Sequence, residues 1–439
     1  MSTQARSTAA LVALAFTLIT ANRGDATIFT VGPSGEFTTI ASAIAAAHKY
    51  PGEHEIRLQT GTYVENVVLT MRNESVRISG GWDETFEIPG VKELSTIDGN
   101  QVGSVMVADV QGGYLVLERL RLIHGRADRL GGGLLATLDR TQFMLTDSAI
   151  EENSVEPADG GLAYGGGIYA QVWNAVMLLT RSRFARNDVR AYAARGGGAF
   201  VQAAGNPTVL ITGCSFVANS ASTTSSAGQV AGGGVFVYSS GMGNVVQILG
   251  NRFLSNWLNG YEGVAMSLST SYGGTIEARR NSFRDDADRT PDRWQVSLLA
   301  ENSATVSFSD SEIVGTPTRA LRADAYSNGT VQLTNLTIAD NRGGGVDLNR
   351  WEPATMALSN SILFGNAWNF HLHGAPALLR NFVGDPHFVS PPSRYDLQPS
   401  SAARDAGAAN PPGGLGLLDL RGRPRVVGSA VDIGAYELQ

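Results

Sequence analysis

A glycine triplet recurs at positions 131–133, 165–167, 196–198 and 232–234. Each copy is followed by a hydrophobic-x-x-Asn cluster that ends at Asn153, Asn187, Asn219 and Asn256. From the first glycine to the asparagine the distance hardly varies: 22, 22, 23 and 24 residues. From each asparagine to the next triplet it varies more, at 12, 9 and 13 residues. A fixed period with its slack confined to one connection is the signature of a solenoid, in which each unit buries its apolar face only against its neighbours.

Within a unit the pattern is short and β-rich, as in "GIYAQV", "AVMLLTRS" and "RFARN", with no helix-length stretch of 3.6-residue periodicity. Three short strands per unit fit one coil of a parallel β-helix, an all-β fold in which coils stack at about 4.8 Å. Inward positions then form ladders. Ile168, Phe200 and Phe236 are expected to make one, and Phe184, Phe216, Phe253 and Phe283 another. The glycines suit a crowded corner, and the repeated asparagine is expected to bond from coil to coil. Weaker copies at "NSFRDD", "SEIVGT", "LTIADNRGGG" and "SILFGN" carry the repeat to about residue 384, and "VRISGGWDETF" and "STIDGN" are wider early coils. Roughly ten to thirteen coils make a rod of about 50–60 Å.

Both ends of such a rod expose strand edges that need cover. Residues 37–50, "FTTIASAIAAAHKY", are expected to supply a helical N-terminal cap, with Thr38 or Thr39 as its N-cap. Residues 385–439 turn Pro- and Arg-rich and are expected to form an irregular C-terminal cap. The β-helix with its N-terminal cap is thus placed at 27–384.

Residues 1–26 read as an export signal: Arg6, a short apolar stretch, then small residues up to Ala26. An uncleaved anchor or a buried helix is the other reading. No later segment is apolar enough to span a bilayer, so the mature protein is expected to lack a transmembrane segment and to lie outside the cytoplasm. The chain has one cysteine, Cys214, so no intramolecular disulfide forms. Net charge is −7 with only two lysines, Lys49 and Lys92, and no basic stripe, which argues against a nucleic-acid partner.

The opening "VGPSGEFTTIASAIAAA…IRLQTGTYVENVVL" resembles the start of pectin-lyase-like right-handed β-helix proteins. The pairs "GGGIY…FARN" and "GGGVF…FLSN" resemble the repeats of polymorphic outer-membrane adhesins. The ending "DPHFV…YDLQPSSAARDAG…LDLRGRPRVVG…VDIGAYE" is similar to that of exported choice-of-anchor Q proteins. The resemblance implies a right-handed helix, but the superfamily holds lyases, hydrolases, esterases, epimerases and adhesins, so it implies no single activity.

Candidate chemistry follows from residue types. A lyase needs a base and a cation or Arg on the acid group. The richest local segment is "ARRNSFRDDADRTPDRW", where Asp285, Asp286 and Asp288 are candidate Ca²⁺ ligands and Asp285, Asp286 and Arg280 candidate catalytic groups. A solvated loop of mutually paired charges explains the same segment. A glycosidase needs two carboxylates across a sugar, which adjacent coils can bring together; Asp98 in "STIDGN" is a candidate or a turn residue. His371 and His373, near Trp368, fall on one face of a strand as a metal site or a stacked surface pair. Cys214 reads as a buried apolar residue. Asp405, Asp419, Arg421, Arg425, Asp432 and Glu437 read as salt bridges of the cap. The variable connections all leave one corner, so Tyr164, Tyr192, Trp257 and Tyr261 are expected along one edge, to stack on sugar rings or pack their own loops. The expected function is a surface scaffold contacting a polysaccharide or cell-surface partner. The alternative is a lyase or hydrolase working in a groove beside the loops.

Overall fold

Strands of five, six and three residues alternate along the chain because apolar residues recur every second position and glycine, asparagine or a positive-φ residue ends each run. The computed structural model describes residues 26–87, 93–223, 225, 228–260, 262–284 and 291–439. The strands stack into three parallel sheets. Sheet A has thirteen strands, and sheets B and C have eleven each. A representative coil runs through sheet C at Ile168–Trp173, sheet A at Val176–Thr180 and sheet B at Arg183–Ala185. The next coil begins at Ala199–Ala204, directly in register with Ile168–Trp173. The fold is a right-handed parallel β-helix with ten complete coils, counted from sheet C through A to B, among the described residues.

Between sheet B and the next sheet C strand, the variable connections build a wing of two further parallel sheets. One contains Ser154–Val155, Asp188–Arg190, Ser220–Ser222 and Trp257–Leu258; the other contains Leu162–Tyr164, Ala193–Arg195 and Gln229–Ala231. Small residues fill the space between them: Ala127, Val155, Ala163, Val189, Ala194, Ala221 and Leu258.

Two internal ladders dominate the middle of the rod. Phe184, Phe216, Phe253 and Phe283 stack at 4.8, 5.0 and 4.7 Å between ring centroids. Asn153, Asn187, Asn219 and Asn256 are fully buried at the corner after sheet B and pass hydrogen bonds from coil to coil. The other expected ladder is out of register. Ile168 pairs with Ala199, which pairs in turn with Val235, and this column points inward, whereas Phe200 stacks on Tyr169 and Phe236 on Phe200, outside the sheet. The aliphatic residue directly after each glycine triplet faces the core, and the residue one later, aromatic in three of the four copies, faces out.

At the N-terminal end, helix α1 (Ile40–Ala47) packs Ile40, Ala43, Ile44 and Ala47 onto the interior of strands Thr27–Val31, Glu53–Gln59 and Val67–Arg72. Thr39 is its N-cap, and the Glu65 carboxylate accepts from the N–H groups of Ile40 and Ala41 at 2.8 and 3.2 Å. Residues 385–439 lie along the flank of the last coils. Phe388, Tyr395, Leu397, Ile433 and Tyr436 cover the outer side of Val314, Ala339 and Ile362.

Candidate functional site

Alternation along each sheet C strand sends one residue per coil into the same outward row. In register the row reads Thr137, Gln171, Gln202, Tyr238, Ser269, Leu299, Asp324, Asn349 and His373. Most of these are neutral hydrogen-bonding groups, spaced one coil apart. The wing stands along one side. There Tyr164 stacks on Phe200 at 4.8 Å, and the Arg195 guanidinium sits 5.2 Å above the Phe236 ring. Beneath them the Tyr169 hydroxyl donates to Gln202 Oε1 at 3.2 Å. On the other side Trp173 is half exposed and packs beside Gly205 of the next coil. The result is a polar strip, here called the trough, along the outer face of sheet C. Beside Gln171 and Gln202 it is flanked by the exposed Trp173 on one side and, on the other, by Tyr164 over the buried Tyr169–Phe200–Phe236 cluster.

The aromatics expected in one row along the wing occupy three different positions. Tyr164 lies in the second wing sheet and faces the trough. Tyr192 is exposed in the turn between the two wing sheets, and Trp257 is exposed in the first sheet. Tyr261 lies outside the described residues, as do Asp285, Asp286, Asp288 and the stretch 1–25. Arg280 is half-buried at a corner beside Gly422. Among the described residues no group of three or more His, Cys, Asp or Glu side chains is arranged to hold a metal ion.

The outer face of sheet B carries a charged ladder. His124 contacts Asp98 through Nδ1 at 3.0 Å and Glu152 through Nε2 at 3.3 Å. Arg186 pairs with Glu152, and Arg121 and Arg183 both pair with the buried Glu151. Arg181 donates to Asp147 at 2.6 Å across the next corner. A shallow depression of about 470 Å³ lies over Arg121, Asp147, Glu151, Arg181 and Arg183. Burial pushes the Asp98 carboxyl up, but the N–H of Asn100 and the His124 ring outweigh it and hold it below the usual range. Arg186 does the same for Glu152, and Arg181 for Asp147. Burial, with Arg186 and Arg121 nearby, lowers Arg183. Acids and bases thus meet as matched pairs from coil to coil.

The residues after the sheet B core position form columns of the repeat: His124, Glu152 and Arg186 occupy equivalent places, all with positive φ. Reading the repeat column by column would have found this ladder; reading along the chain picks out Asp98 alone.

A second charged group sits in the trough. Arg322 donates to both oxygens of Asp324, at 2.8 and 3.3 Å. Burial pulls its guanidinium down, but Asp324, with Glu262 and Asp347 beyond, more than compensates and raises it. Further along, His371 stacks on Trp368 at 3.9 Å and His373 lies 4.3 Å from the Trp351 ring, so the two histidines are engaged as ring partners.

Cys214 is buried in the core, where burial pushes its thiol up to about 12. Arg425, itself buried, donates to Asp310 of the coils at 2.6 Å, and Arg421 donates to Asp396 at 2.6 Å. Asp419 accepts from the backbone N–H groups of Arg421 and Arg423, and Glu437 from those of Val427 and Asp432. Arg425 thus fastens the C-terminal segment to the rod, and the other contacts hold that segment together.

Residues 231–381 match the family model described as a right-handed β-helix region. That stretch is the trough's second half, from the third wing strand to the last coil. No curated protein matches the chain.

Proposed function

We propose that this is an exported β-helix protein that binds a polysaccharide chain lengthwise in the trough of sheet C. The observation that carries the proposal is the row through Thr137, Gln171, Gln202 and Tyr238, one hydrogen-bonding side chain per coil, between Trp173 and the Tyr164–Phe200 stack. Sugars are recognised by this combination: aromatic faces take the apolar face of a ring while amides and hydroxyls take its hydroxyl groups. A linear glycan repeats its groups along an axis, as the rod does. Export, a pectin-lyase-like ancestry and the likeness to choice-of-anchor Q proteins fit this reading and are part of the proposal. The carbohydrate itself is a neutral or weakly acidic polymer, because the trough offers few uncompensated cations.

Titration of the protein into a panel of neutral and acidic polysaccharides tests it. Trp173→Ala and Gln202→Ala should each weaken binding roughly tenfold, the equivalent of one ring stack or one buried polar pair. Unchanged affinity in both variants would place the ligand elsewhere.

Glu262, Asp324 and Asp347 around Arg322 favour a second reading, a glycoside hydrolase acting in the same trough. New reducing ends, lost in Asp347→Asn, would establish it. Both oxygens of Asp324 are already taken by Arg322, which is why binding is placed first.

A further inference from the structure

The two ends of the rod are finished differently. At the N-terminal end helix α1 lies over the interior of the first coil. At the other end residues 385–439 run along the flank, and among the described residues the final coil is left open, with Leu372 and Leu378 exposed. Its last strands are Phe370–His373 in sheet C and Ala377–Leu379 in sheet A, and each pairs with the preceding coil on one edge only.

The exposed residues there belong to the core ladders. Leu372 continues the position of Leu348, and Leu378 that of Leu358; both predecessors are fully buried. Yet Leu372 and Leu378 are each 46% exposed, and Val383 beside them is 52% exposed. A core cut across in this way, with unpaired strand edges around it, is a template for another chain.

We propose that the open end is a homodimer interface, with two copies meeting tail to tail about a two-fold axis. The occupant follows from the ends themselves. Head-to-tail stacking is closed off because α1 covers the opposite end. An isologous contact needs only the open end, twice. The last coil is short: Ser361 N–H donates to Asn381, and Leu358 pairs with Leu378, each 20 residues on. At roughly 3.3 Å per residue its perimeter is about 66 Å. Its end face is then at most roughly 350 Å², so a pair buries on the order of 700 Å², the size of a weak, transient contact. The dimer is therefore expected to be concentration-dependent and elongated. This inference is independent of what binds in the trough.

Sedimentation velocity across a concentration series, together with small-angle scattering, tests it on the full chain. The expected result is a dimer whose maximum dimension is about twice that of the monomer, some 100 Å against 50 Å along the rod axis. Leu378→Glu and Leu372→Glu should return it to monomer with unchanged circular dichroism, since both side chains are already half in solvent. A protein that stays monomeric at every concentration overturns the proposal. So does a dimer whose length is that of one rod, because that arrangement is side by side. If either variant misfolds, the wild-type scattering profile still decides between these outcomes.

Discussion

The Asn187 side chain donates through Nδ2 to Oδ1 of Asn219 at 2.9 Å, and the Asn187 backbone N–H reaches the same oxygen at 3.1 Å. Asn219 in turn donates to the Phe184 carbonyl at 2.9 Å and to Asn256 at 3.0 Å. Each asparagine thus satisfies backbone of its neighbour where the chain turns out of sheet B and no ladder bond is available.

Asn219→Ala strands several buried groups at once, each at about 1–3 kcal/mol. Urea unfolding should show a loss of several kcal/mol. Asn366→Ala, at the half-exposed end of a similar ladder, should cost less because water reaches the vacated partners.

Phe216 is fully buried between Phe184 and Phe253. Phe216→Ala should cost about 3–5 kcal/mol, with Phe216→Leu well below that because it keeps most of the volume. Thermal unfolding of the pair gives the comparison.

Gly197 and Gly213 separate two roles of glycine. A Cβ on Gly197 would lie 2.2 Å from the Ser220 carbonyl oxygen and 2.4 Å from that of Gly233. At Gly213 a Cβ would meet only Arg181 atoms at 3.8 and 3.9 Å, an ordinary contact, but φ is +62°. Gly213→Ala should cost about 1–2 kcal/mol in backbone strain. Gly197→Ala should cost clearly more, because the corner of the next coil must move. Chemical denaturation of the two variants side by side checks the order.

Much of this is legible in the sequence. The near-constant distance from glycine triplet to asparagine marks the coil, since both ends of that span are crowded, buried corners where few residues fit. The phenylalanine column was legible for the same reason. Ile168 was assigned one position away from its true neighbour because a period-two strand offers two faces, and an aromatic residue outside can be as buried as one inside when a wing covers it. The wing hid itself: its strands are two or three residues long and rich in alanine, too short for any periodicity. The Asp98–His124–Glu152 contacts join residues more than twenty positions apart, and only stacking brings them together.

Glu437 gives a pH signature. Burial raises its carboxyl from 4.5 to about 7, against the lowering effect of two backbone N–H groups. The folded protein therefore holds a proton that the unfolded chain has released above pH 4.5. Stability from this group is full below that pH and is lost as pH rises through about 7. Asp432, also raised by burial, acts in the same direction. Melting temperature followed across this window should fall with rising pH, and Glu437→Gln should flatten the slope.

The proposed mode of binding makes its sharpest statement about ligand length. Affinity for a series of oligosaccharides of increasing size, cut from a polysaccharide that the protein retains, measures it directly. If the glycan lies along the row from Thr137 to Tyr238, each added sugar meets another coil and affinity climbs steadily before levelling off. An affinity that is already full for a mono- or disaccharide, or the absence of binding to any polymer tested, would contradict lengthwise recognition in the trough.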